Sequence, residues 1–197
     1  MARRRLEIDL FSKLLNKERS LIQRARALHD REAYGTLMQL HQGKVRAFLI
    51  RLCHRYDLAD DLAQETFISA FKKLDTFKGS GSFSGWLFQI AYNKFLQRMK
   101  DEKRREEVTI SYVLENAVKT ELYEGMSADQ IDLENAMRSL KPELSAAISL
   151  CHSYGYSHRE AADILNTPVG TVKTHILRGK GQLRTLLNAK TRVVGSK

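Results

Sequence analysis

Cysteine, proline and acids at one end of the chain are scarce here, and each scarcity excludes something. Two cysteines, Cys53 and Cys151, among 197 residues cannot build a disulfide framework, which points to a reducing, cytoplasmic setting. Two prolines, Pro142 and Pro168, leave long helices permitted almost everywhere. No stretch approaches the ~18 to 20 apolar residues of a membrane-spanning helix, so no membrane insertion is expected. Arg3-Arg4-Arg5 is followed by Glu7 and Asp9 rather than by the apolar run of a signal peptide. A nucleotide-binding glycine loop, a nucleophile elbow and paired catalytic carboxylates are also missing, so neither a catalytic residue nor a cofactor is expected. Beyond Asp163 the chain has no acidic residue to its end.

What remains is an ordinary globular mixture, 43% hydrophobic and 28% charged, carrying a net charge of +10. An excess of that size suits a polyanionic partner, and its distribution is uneven. Lys173, Arg178, Lys180, Arg184, Lys190, Arg192 and Lys197 place +7 in the last 34 residues. Residues 106–129 carry six acids against Lys119 alone, a net of −5, directly after the basic run Arg98, Lys100, Lys103, Arg104 and Arg105. Two basic blocks joined by an acidic connector fit a two-module protein.

Helical periodicity dominates the rest. Leu6, Leu10, Leu14 and Leu21 mark an N-terminal helix, and the apolar positions from His29 to Arg55 mark one long helix or two close ones. Asp57 is placed to cap a helix reaching about Leu74, and the Gly/Ser loop Lys78 to Gly85 separates it from a helix over Trp86 to about Arg105. Val108 to Met126 reads as an extended linker, after which helices resume at Ile131–Leu140, Pro142–Tyr154, Ser157–Leu165 and Pro168 to about Leu187. The expected architecture is all-α, with two small helical domains joined by a flexible acidic linker. Its limits are an extension over 1–24, a first domain over 25–105, the linker over 106–129, a second domain over 130–190 and a basic tail over 191–197.

Two local constellations carry chemistry. Ser157-His-Arg-Glu160 is a capping box, Asn166 can take the left-handed turn that stops a helix, and Thr167-Pro168 restarts one. This predicts a helix-turn-helix whose second helix turns Val172, Ile176, Leu177 and Leu183 inward and Thr171, Lys173, Thr174, His175, Arg178 and Lys180 outward, as major-groove docking requires. The second constellation is an acidic helix in a basic chain. Ala63, Phe67, Ala70, Phe71 and Leu74 make its buried stripe, while Asp61, Gln64, Glu65 and Ile68 share another face. An exposed isoleucine beside carboxylates describes a docking surface for a basic protein helix.

Four segments in order, Asp61-Leu-Ala-Gln-Glu-Thr-Phe67, Phe83-Ser-Gly-Trp-Leu87, Ile90-Ala-Tyr-Asn93 and Pro168-Val-Gly-Thr-Val-Lys173, resemble the extracytoplasmic-function (ECF) sigma factors of the sigma-70 family. The likeness covers about residues 25 to 187. It implies that Asp60, Asp61, Gln64, Glu65 and Ile68 grip the β′ clamp helices of core RNA polymerase. It implies that Lys78, Ser80, Ser82 and Phe83 read and help melt the promoter −10 element, with Asn93 on the strand and Arg98, Lys100, Lys103, Arg104 and Arg105 on phosphates. The −35 element would fall to Arg159, Thr167, Thr171, Lys173, Thr174, His175, Arg178 and Lys180, beside the polymerase β flap. The acidic linker would thread toward the RNA path, and an anti-sigma factor is a further implied partner. Thr174-His175 replaces the family's common Ser-Arg, and Gly179 and Gly181 weaken a helix that family members keep strong, so the last turns are expected to fray.

A stand-alone helix-turn-helix regulator with an N-terminal interaction domain is the competing reading of the residues alone. An amphipathic membrane-surface protein is a third, opposed by the clustering of charge on the helix-turn-helix. Leu-Cys-His occurs at Cys53-His54 and again at Cys151-His152, but a shared metal site would need the two domains to meet, and none is expected.

Overall fold

The computed structural model describes residues 16–27, 29–79, 81–106 and 127–194. The expected extended linker and Ser80 lie outside the described residues. Every regular element among the described residues is helical. The first region holds α1 (residues 16–27), α2 (Arg31–Cys53), α3 (Tyr56–Lys72), a short 3₁₀ turn (Leu74–Thr76) and α4 (Phe83–Glu106). The second holds α5 (Ala128–Arg138), α6 (Pro142–Ile148) continued by a π-type turn (Ser149–Ser153), α7 (His158–Leu165) and α8 (Val169–Val194).

Local chemistry fixes the ends. Asp30 caps α2 by accepting the Ala33 N–H at 3.0 Å, and Arg24 of α1 pairs with the same carboxylate at 2.6 Å. The cap expected of Asp57 is not made. Arg55 occupies that place in extended backbone, and Asp57 sits in the first turn, bonded to the Arg55 guanidinium at 3.0 Å. Ser127 and Gln130 form a capping box at α5, and Ser157 and Glu160 form the expected one at α7, with both reciprocal bonds in place. Asn166 ends α7 in the left-handed conformation, φ 48°.

The two regions share one core. Phe48, Phe88 and Phe95 are buried with Leu150, Ile164 and Val172 in the same apolar cluster, and a smaller cluster around Met137, Leu140 and Leu183 closes the outer side of the second region. Polar bonds stitch the contact. Arg51 of α2 reaches Glu134 and Ser153, the Ser145 hydroxyl donates to the Arg51 carbonyl at 3.1 Å, and the Tyr154 hydroxyl donates to the Lys44 carbonyl at 3.1 Å. Arg138 bonds the Tyr56 hydroxyl and lies over its ring. Periodicity located both regions but carried no sign of this contact.

Gly179 and Gly181 do not end α8, which continues to Val194. At Gly179 a Cβ would come within 2.5 Å of Ile148 Cδ1, so the glycine permits the close approach of α8 to α6. The helical cost of glycine is offset there by packing. Leu177 departs from its expected inward position: it is 75% exposed. It follows Ile176 by one residue, about 100° around the helix, so the buried stripe that takes Ile176 leaves Leu177 outside.

His54 ends α2 in the left-handed conformation, φ 57°. Burial, with the nearby Arg138 charge, holds its pKa below the ordinary value of 6.5. The unfolded chain therefore takes up this proton near pH 6.5 while the folded chain resists it. Stability is full above that pH and is lost as pH falls below it. We expect the melting temperature to drop between pH 7.5 and 5.5, and His54→Asn, which tolerates the same backbone, to reduce that drop. His152, depressed by burial, Lys180 and His158, supplies a residue of the effect. A drop unchanged in the asparagine variant removes His54 from the account.

Candidate polymerase- and DNA-binding surfaces

Three of the four residues that the spacing grouped on one face of the acidic helix are exposed. Asp61, Gln64 and Ile68 of α3 are exposed, Ile68 to 57%. Gln64 and Ile68 line a groove of about 870 Å³ between α2 and α3 whose walls include Tyr34, Met38, Phe67 and Phe71. Asp60 lies on its rim, paired with Arg46, at 3.2 Å for one of two bonds. Glu65 is engaged within the chain: Lys94 at 3.2 Å and Arg98 at 3.3 Å, both from α4, hold its two oxygens. Glu65 and Arg98, assigned by sequence to two different partners, thus meet each other. Half-exposed pairs of this kind contribute little stability, roughly 0 to 1 kcal/mol, so either side chain can exchange partners.

The Gly/Ser loop enters α4 beside a cavity of about 340 Å³. Thr76, Phe77, Lys78, Gly81, Ser82, Gly85, Trp86 and Gln89 line it from the first region, and Tyr156, Glu160, Asp163 and Ile164 line it from the second. Gly79 and Gly81 take φ of 73° and 90°, a left-handed path that residues with a Cβ rarely follow. Lys78 and Ser82 are exposed at the loop. Phe83, expected to stack on a base, is only 3% exposed. Its ring is enclosed by His41, Phe77 and Trp86 at centroid separations of 5.4, 5.4 and 5.6 Å, because the first turn of α4 points it inward. The aromatic wall of the cavity comes instead from Phe77 and the half-buried Trp86. Gln89, one turn beyond Trp86, also lines the cavity and carried no sequence motif.

α1 supports this loop from behind. Arg26 donates to the Phe77 carbonyl at 3.4 Å, and Glu18 holds the buried His41, whose ring meets Phe83 edge-on. Along α4, Asn93, Lys100, Lys103 and Arg104 are exposed and Arg98 is half-buried; Arg105 belongs to the helix, but its side chain lies outside the described residues.

On the helix-turn-helix, Arg159, Lys173, Thr174, Arg178 and Lys180 are exposed, while Thr167, Thr171 and His175 are half-buried. Val172 and Ile176, at 0% and 6% exposure, fix the rotation of α8 that turns the cations outward. The Thr174 hydroxyl donates to the Gly170 carbonyl at 3.0 Å, within its own helix.

Among the described residues no group of three or more His, Cys, Asp and Glu is placed to hold an ion. Burial pushes the Cys53 thiol up to about 11, so it is not a reactive thiolate. Among the described residues no helix is long and apolar enough to cross a membrane.

Family models match both regions in order: Sigma-70 region 2 over residues 37–105 and Sigma-70 region 4 over residues 130–183. The ECF RNA polymerase sigma factor SigE of Mycolicibacterium smegmatis is 33% identical over 163 residues, covering 79% of this chain and 62% of that protein. EcfG of Rhodopseudomonas palustris, also an ECF RNA polymerase sigma factor, is 33% identical over 146 residues, covering 73% of this chain and 78% of that protein. The chain therefore spans just under two thirds of the first relative and more of the second. Among solved structures, the sigma factor RpoE of Bartonella quintana, in complex with the anti-sigma factor NepR, superposes with a TM-score of 0.69 at 29% identity. That match covers 79% of this chain and 96% of the other. A free-standing helix-turn-helix regulator would leave the region 2 match unexplained. Two region models in order and these relatives together show that the chain belongs to the ECF RNA polymerase sigma factors of the sigma-70 family.

Proposed function

We propose that the chain binds core RNA polymerase through the α2–α3 face, reads and helps melt the −10 element with the loop before α4, and reads the −35 element with α8. The observation that carries this reading is the α3 face, where exposed Gln64 and Ile68 line a large apolar groove with Asp60 on its rim and the exposed Asp61 next to it in sequence, in a chain of net charge +10. Acids and an exposed isoleucine together suit a basic, partly apolar helix, the chemistry of a polymerase clamp. Thr76, Lys78, Ser82, Trp86 and Gln89 surround a space that an unstacked base can enter, with a flat wall and polar edges. The exposed cations of α4 and α8 hold phosphates and base edges. The chain works in the cytoplasm, chemistry stays with the polymerase, and an anti-sigma factor of the kind bound by RpoE competes for the same faces.

Reconstitution tests this directly. Added to core polymerase, the protein should start transcripts at defined promoters, and alone it should bind promoter duplex poorly. Tight specific duplex binding without any effect on core polymerase overturns the reading. Asp61→Lys combined with Ile68→Asp should weaken core binding by about tenfold or more, since one lost interface charge contact and one lost apolar contact each cost about 1 kcal/mol. Melting should be unchanged because both residues are exposed. Glu65→Lys is a poorer probe, since it would place three cations together with Lys94 and Arg98.

A further inference from the structure

Between α3 and α4 lies a cleft of about 300 Å³, lined by Glu65 from the first helix and by Lys94, Gln97, Arg98 and Asp101 from the second. Lys94 and Arg98 stand one turn apart on α4, so their side chains reach the same place. That place is the Glu65 carboxylate: Lys94 Nζ donates to Oε2 at 3.2 Å, and the Arg98 guanidinium donates to Oε1 at 3.3 Å. An ammonium and a guanidinium, each on a separate oxygen of one anion, suit a phosphate as well as a carboxylate. Lys94 carried no motif in the sequence.

The cleft adjoins the exposed polar strip of α4. Asn93, Gln97, Lys100 and Arg104 follow one another at helical spacing beside Lys94 and Arg98, and all four are exposed. A nucleic-acid backbone along that strip brings its phosphates to the mouth of the cleft. With Glu65 in place, the cleft sets two cations against two carboxylates. With Glu65 withdrawn, the two cations face Asp101 alone and the balance becomes positive. One carboxylate therefore decides whether the cleft attracts a phosphate.

Glu65 is placed to leave. It follows Gln64 directly and precedes Ile68 by three residues on α3, at the edge of the proposed docking face, and its side chain is 42% exposed. We propose that Lys94 and Arg98 form a site for a phosphate of the promoter backbone, that Glu65 fills it in the free chain, and that polymerase opens it by offering Glu65 a cation of its own. This rests on the reading of α3 as the polymerase face and α4 as a DNA face, and it supplies the residue that joins them. The exchange leaves no charge without a partner: Glu65 trades Lys94 and Arg98 for a cation of polymerase, and they trade Glu65 for a phosphate. Linkage makes the coupling reciprocal, so DNA on the site also tightens the hold on core polymerase.

Glu65→Gln keeps the size of the side chain and removes its charge. In the full-length protein without polymerase, affinity for a random-sequence duplex should tighten by about three- to tenfold. The slope of log affinity against log salt should steepen by about one to two, the signature of one or two added phosphate contacts. Lys94→Ala with Arg98→Ala, added to Glu65→Gln, should return the slope to the wild-type value. Core affinity of Glu65→Gln should fall, so the two affinities move in opposite directions, which loss of a merely structural ion pair would not produce. With saturating core polymerase the gain on duplex should vanish, because Glu65 has already left the cleft. Circular dichroism confirms the fold; if the glutamine variant melts early, Glu65→Asp, one methylene too short to hold both cations, repeats the comparison.

A gain of the same size in the holoenzyme overturns the step driven by polymerase. An unchanged salt slope in Glu65→Gln overturns the phosphate site. Lys100→Ala with Arg104→Ala separates that failure from failure of the underlying reading. If this pair lowers the slope while Glu65→Gln leaves it unchanged, only the phosphate site is wrong; if neither moves it, α4 is not a DNA face.

Discussion

Arg178→Ala should lower initiation at −35-dependent promoters by about ten- to a hundredfold, the effect of losing a base contact of about 1 to 3 kcal/mol. Arg178 is exposed on α8 and makes no ion pair with another described residue, in a segment without acids to engage it. Arg98 differs, since Glu65 already holds it. Val172 and Ile176 are buried and lock the rotation of α8, so the Arg178 side chain points to solvent at no cost to packing. Its removal should leave melting unchanged. Lys173→Ala provides the contrast: a point charge on phosphate loses affinity evenly across sequences and lowers the salt slope by about one. Run-off transcription by the reconstituted holoenzyme, repeated across a salt titration, separates the two. Normal initiation by both variants removes α8 from the −35 assignment.

The sequence was legible wherever one residue's chemistry acts on its own neighbours. The capping box Ser157/Glu160, the left-handed Asn166 and the exposed Ile68 are local facts, and the structure has each of them. Ser127 and Gln130 carried the same signature as Ser157 and Glu160 and could have been read the same way. Leu177 was misplaced by a one-residue error in rotation, which moves a side chain about 100° and exchanges core for surface, and Phe83 by reading it as part of the loop when it opens α4. What periodicity could not reach was the seam between the regions. Arg51 with Glu134 and Tyr156 with Ser82 and Ser84 join residues more than 70 positions apart, and nothing in the spacing of either partner points to the other. The pairing of Glu65 with Arg98 was hidden in the same way. Each looked like a contact for an outside partner because each is charged and half-exposed. A long-range ion pair and a docking residue have the same sequence signature.

Phe88 is where that seam can be tested energetically. Its side chain is 1% exposed and packs on Phe48 within the first region, at 5.0 Å between centroids. It also packs on Tyr154 at 4.6 Å and Tyr156 at 6.0 Å, both from the second region. Phe88→Ala should cost about 3 to 5 kcal/mol, the usual range for emptying a buried aromatic site. Against a typical stability of about 5 to 15 kcal/mol this is a large fraction. Phe95, equally buried on α4, provides the control, because among the described residues its aromatic ring contact is with Tyr92 of the same helix. Phe95→Ala should lower melting of the whole chain without separating its parts. Phe88→Ala should divide unfolding into two transitions and raise hydrogen exchange in α6 and α7, since the ring it removes is shared by both regions. Should Phe88→Ala instead unfold in one transition close to that of the wild type, Phe88 would contribute little to the shared core, and the coupling of the two regions would rest on the other contacts of the seam.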